Sequence, residues 1–587
     1  MEHTPDLQEP TVPSSRLTST SRSAALAAMG DDAGLDILVI GGGVTGAGIA
    51  LDAATRGLRV GIVEAQDWSA GTSSRSSRLV HGGLRYLYNL DFKLVAESLH
   101  ERGLLLTTLA PHLVTAQPFL WPLRQPVVER SYSAVGVGMY DALSLLTNRR
   151  RTVPFQHHLT REGALAAFPD ARGDKLVGAI RFYDARVDDA RLVITLVRTA
   201  ARYGALAASR AQVVDLPRDG SGRVTGAVVR DLETGQDITV RAREVVNATG
   251  VWTEDVQDLA EAEGGLRVLT SKGIHIAVPR ERIQGSTGMF LRTEKSVLFI
   301  IPWPDHWVIG TTDTPWQEDL AHPVATARDV DYLLDHANAV LTSNLTHEDV
   351  ITTWAGLRPL LQPGTKDASR TAKVSREHTV ARVAPGLSAI AGGKLTTYRV
   401  MAQDAVDFAL GSRARTLPSV TATTPLVGAD GFAATQRLAG RIGLRYGWDT
   451  TRMDHLLSRY GSAIDELLAL VDDEPSLAEP LTSAPMYLRA EVAYAVTHEG
   501  ALHLEDILNH RVRLAQTRHD RGVGALDEMV AIAAPLLGWD EARAEQEKDA
   551  YRAAAAAEDA AALEETDAAA TATRRRGGDL VPMAPVG

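Results

Sequence analysis

Residues 36–64, DILVIGGGVTGAGIALDAATRGLRVGIVE, run from an apolar strand through a glycine cluster into a helix, then into a second strand that closes on an acid. That order constrains the fold more than the glycines alone would. It predicts a βαβ unit whose first turn holds an adenine dinucleotide. Gly41 permits the tight turn, Gly43 lets the backbone approach a pyrophosphate, and Gly46 lets the helix pack close on its strand. The free N–H groups and positive dipole end of the helix then favour the anion without a basic side chain. Glu64 stands where a carboxylate accepts hydrogen bonds from both ribose hydroxyls, which disfavours a 2′-phosphate. By itself the fingerprint fits NAD and FAD equally.

At 587 residues the chain is long for one core, so two or three domains are expected. It contains no cysteine, which excludes disulfides, thiolate metal sites, cysteine nucleophiles and cysteinyl-linked cofactors, and no metal site is read from it. A net charge of -12 argues against a general nucleic-acid binder. No stretch offers the roughly 20 uninterrupted apolar residues that span a bilayer, so membrane contact is expected to be peripheral. Residues 1–35 are rich in Ser, Thr, Pro and Ala, and their apolar run SAALAAMG is too short for a signal peptide. They are expected to form a disordered cytoplasmic arm. Residues 551–587 read as a low-complexity tail, in which AAAAAEDAAALEE has helical character and the end is solvated.

Between these ends, strand character returns at REVVNATG (243–250) and GLSAIAGGKLTTY (386–398), each leaving its strand through small residues. An α/β fold follows: a Rossmann-like dinucleotide-binding domain over residues 36–424, assembled from separated segments, with a substrate domain inserted. The runs IHIAV, VLFIIPW and WVIG between residues 273 and 310 predict an antiparallel sheet for that insertion. From 425 to 550 the Ala- and Leu-rich segments AIDELLALV, LRAEVAYAVTHEG and VGALDEMVAIAAPLLG carry helical spacing and predict a C-terminal helical domain.

The string GTSSRSSRLVHGGLRYL (71–87), taken with NATGVW (247–252), IGTTD (309–313), GLRPL (356–360) and GGKLTTYR (392–399), resembles the FAD-dependent glycerol-3-phosphate dehydrogenases in order and spacing. The likeness spans about residues 36 to 545, because MYLRAEVAYAVTHEGALHLEDILNHRVRL is also similar to that family's C-terminal domain. The resemblance implies FAD, oxidation of sn-glycerol 3-phosphate to dihydroxyacetone phosphate, and delivery of electrons to a membrane quinone. It also implies attachment to the inner face of the cell membrane, with a homodimer left open. For the cofactor it implies Gly41, Gly43, Gly46, Glu64, Thr72, Ser73, Ser77, His81, Gly82, Gly83, Leu84, Ala248, Gly250, Gly393, Lys394, Leu395 and Thr396, with FAD bound noncovalently.

A phosphate monoester carrying a secondary alcohol needs cations and a polar group near the alcohol. By resemblance, Arg85 binds the phosphate with Tyr86 beside it. Arg358, extended because it precedes a proline, either holds the phosphate bidentately or stabilises charge on the alcohol oxygen. Lys394 reaches toward substrate from the glycine turn, and His275 is a candidate acceptor for the hydroxyl proton. The family pattern commonly carries a small polar residue where this chain has Ile274, which puts the pocket wall beside His275 in question. Asp313 reads as structural. Residues 119–151, with the basic run Arg149 to Arg151, fit either interfacial docking on anionic lipid or a buried helix ending in a solvated charge run. Rival readings are an oxygen-using glycerol-3-phosphate oxidase, an amine or amino-acid oxidase on the same fold, and an FAD-bound scaffold without chemistry.

Overall fold

The computed structural model describes residues 14–83, 91–124, 128–148, 151–261, 265–293, 297–362 and 378–585. Parallel strands form the centre of the first sheet, in the order Leu387–Ala391, Asp237–Asn247, Leu35–Ile40, Val60–Val63, Leu206–Ala208. They read as continuous apolar runs because both faces are covered, and Ile37, Leu38, Val39 and Val60 are each at most 1% exposed. Helices Val44–Thr55, Asp189–Arg202 and Tyr398–Leu410 pack together against this sheet. Each fully buried Leu, Ile or Val of Asp189–Arg202 contributes about 1.5–3 kcal/mol.

The second sheet centres on Val268–Pro279, flanked by Thr352–Leu361 and His306–Gly310. It continues through Val297–Pro302, Gly288–Arg292, Thr115–Leu123 and Gly178–Arg186. The pairing is antiparallel as expected except between Gly288–Arg292 and Thr115–Leu123, which run parallel. The domain therefore draws strands from well before residue 273. Phe119, Leu120, Trp121 and Leu123 lie in its core, so residues 119–123 are not an interfacial surface. The following helix, Val128–Asn148, buries Val137 and Tyr140 and leaves Met139, Leu145 and Leu146 exposed; Arg149 and Arg150 lie outside the described residues.

Beyond these sheets the chain is helical, with Phe432–Tyr446, Thr450–Tyr460, Ile464–Asp473, Arg489–Thr497 and Leu526–Leu537. Both chain ends depart from expectation. Within the stretch expected to be disordered, Ser19–Met29 is a helix with a capping box at Thr18, burying Leu26 and Met29 against the first sheet. Arg22 there pairs with Asp231 and donates to the Ser209 carbonyl at 2.7 Å. At the other end the helical character of AAAAAEDAAALEE is met by Glu541–Ala561, but the solvated end is not: Asp567–Arg574 folds back on that helix, burying Ala561 and Ala570. Small alanines let these helices approach closely, a packing that composition does not reveal.

Buried ion pairs join the helical domain to the first. Arg511 donates to both oxygens of Asp67, at 2.6 and 2.9 Å, and His510 Nδ1 stands 2.7 Å from the same carboxylate. Burial works against the Asp67 charge, but Arg511 and His510 outweigh it and hold the carboxyl well below the usual range. Its contribution to stability is therefore present above about pH 4 and is lost as pH falls through the depressed folded-state value. Arg511→Ala leaves the buried Asp67 carboxylate with His510 alone and is expected to cost about 3 kcal/mol, read as a lower urea midpoint at neutral pH.

Candidate active site

The glycine turn does what its spacing predicts. Gly41 has φ +109°, and a Cβ at Gly46 would fall 1.8 Å from the Gly41 carbonyl oxygen, so the helix starts as close to the turn as backbone permits. Glu64 Oε2 accepts from the Gly42 amide at 2.6 Å and Oε1 from the Gln66 amide at 2.7 Å. Burial nonetheless raises its carboxyl above the ordinary value. Each oxygen keeps a lone pair for a hydroxyl donor. Ser73 Oγ accepts from the Val44 amide at 2.9 Å, at the first turn of the helix.

A cavity of about 340 Å³ opens over this turn, lined by Gly41, Gly43, Glu64, Thr72, Ser73 and Ala248 among others; Gly250 also lines it. A second, of about 250 Å³, lies against the other sheet and is lined by Ser77, His81, Gly83, His275, Arg358 and Thr396 among others. Thr72, Ser73, Pro359 and residues 392–395 line both, so the two form one slot that bends around the glycine turn carrying Gly393, Lys394 and Leu395. Thr396, which belongs to a 3-10 turn preceding helix Tyr398–Leu410, ties that turn across the slot: its Oγ1 accepts from the His81 amide and donates to the His81 carbonyl, both at 3.1 Å.

Cross-strand register assembles the polar wall. Gly273 pairs with Gly356, Ser271 with Arg358 and His275 with Trp354, which puts these side chains on one face. Ile274 points to the opposite face and is buried in the apolar cluster there, so the departure from the family pattern does not reach the pocket. A Cβ at Gly273 would sit 2.3 Å from Arg358 Nη2; the guanidinium occupies the space that this glycine leaves. Arg358 is aimed by Thr311 Oγ1 and the Thr312 carbonyl, both at 3.1 Å, and by Asp313 at 3.4 Å. Asp313 thus orients a site residue and is itself bonded by Ser271.

His275 Nε2 stands 2.8 Å from Ser77 Oγ, and its ring stacks on Trp354 with centroids 5.3 Å apart. Burial, then the charges of Arg358 and Arg78, push its pKa down to about 3, so the imidazole is neutral at physiological pH. Its Nδ1 is buried with no hydrogen-bond partner among the described residues. Lys394 lines both halves of the slot, its Nζ 3.5 Å from Ser98 Oγ. Leu84, Arg85 and Tyr86 lie outside the described residues.

Several supporting groups lie outside the candidate site residues. Gly82 is held through its amide by Tyr140 Oη at 2.8 Å and Asp184 Oδ1 at 3.1 Å, with Arg102 pairing to Asp184 at 2.6 Å. Arg78 lies over the rings of Trp354 and Trp303. Thr311 and Thr312 belong to the IGTTD run, whereas Asp184 carries no motif and Tyr140 lies in a segment whose sequence points to membrane docking or a buried helix rather than to the site.

Residues 36–399 match the family model described as FAD dependent oxidoreductase, and residues 419–544 match the C-terminal domain of alpha-glycerophosphate oxidase. The chain is 52% identical to glycerol-3-phosphate dehydrogenase 2 of Mycobacterium tuberculosis, over 92% of this chain and 91% of that protein. It is 36% identical to the human mitochondrial glycerol-3-phosphate dehydrogenase, over 91% of this chain and 74% of that one. Among solved structures, the glycerol-3-phosphate dehydrogenase from Bacillus halodurans complexed with FAD superposes with a TM-score of 0.74 at 29% identity, covering 90% of this chain and 96% of that one. The L-alpha-glycerophosphate oxidase of Mycoplasma pneumoniae, with a TM-score of 0.50 at 16% identity over 64% of this chain and 94% of that one, shares the fold. The cofactor is FAD, and the residues fit it: a backbone-lined turn for the pyrophosphate, an acid at the ribose position, and a bend into a second chamber. Gly46→Ala is expected to purify with most of its flavin lost, measured as flavin absorbance per chain.

Proposed function

We propose, from the premise that the chain belongs to the family of FAD-dependent glycerol-3-phosphate dehydrogenases, that it oxidises sn-glycerol 3-phosphate to dihydroxyacetone phosphate and passes the electrons to a membrane quinone. The observation that carries this reading is the grouping of Arg358, Lys394 and neutral His275 around one chamber that continues the dinucleotide slot. FAD, when bound, supplies the acceptor for the hydride leaving the carbinol carbon. Arg358, held by Asp313, Thr311 and the Thr312 carbonyl, binds the phosphate or steadies the charge developing on the alcohol oxygen. Lys394 adds a second positive charge at the turn. By sequence resemblance Arg85 and Tyr86 complete the phosphate site.

His275 takes the hydroxyl proton, directly or through Ser77. An imidazole that is buried and flanked by two arginines resists protonation, and a dianionic phosphate opposes those arginine charges, raising the basicity of His275 when substrate is present. Phe182, Phe290 and Phe299 give the chamber an apolar wall. Among the described residues no helix is long and apolar enough to cross a membrane. Docking on the inner face of the cell membrane is supported by the exposed Met139, Leu145, Leu146 and Phe155, with the Arg151 guanidinium over the Phe155 ring.

Anaerobic mixing with glycerol 3-phosphate is expected to bleach the flavin, and a soluble quinone analogue to restore its colour faster than dissolved oxygen does. His275→Asn is expected to slow bleaching by about 10²-fold or more with flavin content unchanged. A flavin left unbleached by glycerol 3-phosphate overturns the substrate, and faster recovery with oxygen overturns the quinone.

A further inference from the structure

Met583 and Ala584, in the stretch that reads as a solvated tail, reach the cofactor slot. Met583 and Ala584 line the 340 Å³ cavity together with Gln212, Val213 and Glu64. The contact is reciprocal and specific: the Gln212 side-chain amide donates to the Ala584 carbonyl at 3.0 Å, and the Ala584 amide donates to Gln212 Oε1 at 2.7 Å. Gln212 is 7% exposed, so this pairing satisfies both ends of a buried carboxamide that would otherwise face the cavity unmatched. The path to that point is pinned as well. Arg574 pairs with Glu558 at 3.1 Å and stands 3.3 Å from His322 Nδ1, while Asp579 meets His322 Nε2 at 3.0 Å.

The position along the slot identifies what the tail covers. The Glu64 carbonyl accepts from the Ala211 amide at 2.8 Å, so Gln212 adjoins the acid placed for the ribose. The chamber holding His275 and Arg358 joins the slot elsewhere, through the turn at residues 392–395, and neither Met583 nor Ala584 lines that chamber. We propose that the C-terminal segment 579–585 is part of the FAD site, a strap that closes the adenosine end of the slot and retains the cofactor. The proposal rests on the FAD assignment and deepens it. Met583 supplies an adaptable apolar surface to a purine ring, and the Gln212–Ala584 pair latches the strap without a charge that would repel a phosphate.

The test compares FAD release, followed by the recovery of free-flavin fluorescence, from the full chain, from a chain ending at Gly578, and from Ala584→Pro, which removes the amide donor to Gln212 without shortening the chain. The truncated chain is expected to release FAD about tenfold faster or more, and Ala584→Pro several-fold faster. Binding of ADP to the apoproteins weakens by a similar factor while binding of FMN does not change. Should the truncated chain fail to fold, Ala584→Pro carries the same readout. Equal release rates, or slower release after truncation, overturn the strap; slower release would mean that the tail competes with adenosine. A full chain that carries no FAD overturns the cofactor assignment and the strap with it, a result distinguishable from either of the others.

Discussion

The Gly41 carbonyl oxygen lies where any side chain at position 46 would begin, and this contact sets the geometry of the rest of the slot. Because the helix starts against the turn, Gly43, Val44 and Thr45 at its N-terminus line the cavity, and a pyrophosphate bound there would be held by backbone and dipole rather than by cations. The cationic residues are then available for the second chamber, where a phosphate monoester is the expected guest.

That turn would not hold its shape unaided. The loop from Glu64 to Arg78 lines both cavities, and much of its bracing comes from far along the chain. Arg511 and His510 grip Asp67, Arg513 donates to the Ser74 carbonyl at 2.8 Å, and Asp189 receives Ser76 through its hydroxyl at 2.6 Å and its amide at 3.0 Å. Removing one partner of such a buried pair leaves a charge in low dielectric, so the helical domain is coupled energetically to the flavin site although none of its helices lines the chamber.

The parts legible in sequence were those in which a local backbone demand selects the residue. Gly41, Gly46 and the Gly392–Gly393 pair are written into the chain because nothing larger fits or because φ is positive. Apolar runs revealed the parallel strands for a similar reason. The supports of the site were not legible. Tyr140 and Asp184 meet Gly82 only after the second sheet has brought Gly178–Arg186 alongside Thr115–Leu123, and neither residue has a motif. Ser19–Met29 and the final helices are composed of residues that suit a solvated segment as well as a packed one, and their place is decided by partners such as Asp231 and Glu558 hundreds or tens of residues away. Arg358 lay between: its motif was visible, but the space that lets it project belongs to Gly273 on the neighbouring strand.

The central claim is that the two cavities are one slot, with the dinucleotide in the first and the reacting groups in the second. A crystal structure of the FAD-bound protein with glycerol 3-phosphate, prepared without oxygen, tests it most directly. The account predicts the adenosine beside Glu64 and Gln212, the flavin ring under residues 392–396, and the substrate phosphate within hydrogen-bonding distance of Arg358. A flavin ring outside the chamber of His275 and Arg358, or a phosphate with no contact to Arg358, would contradict it.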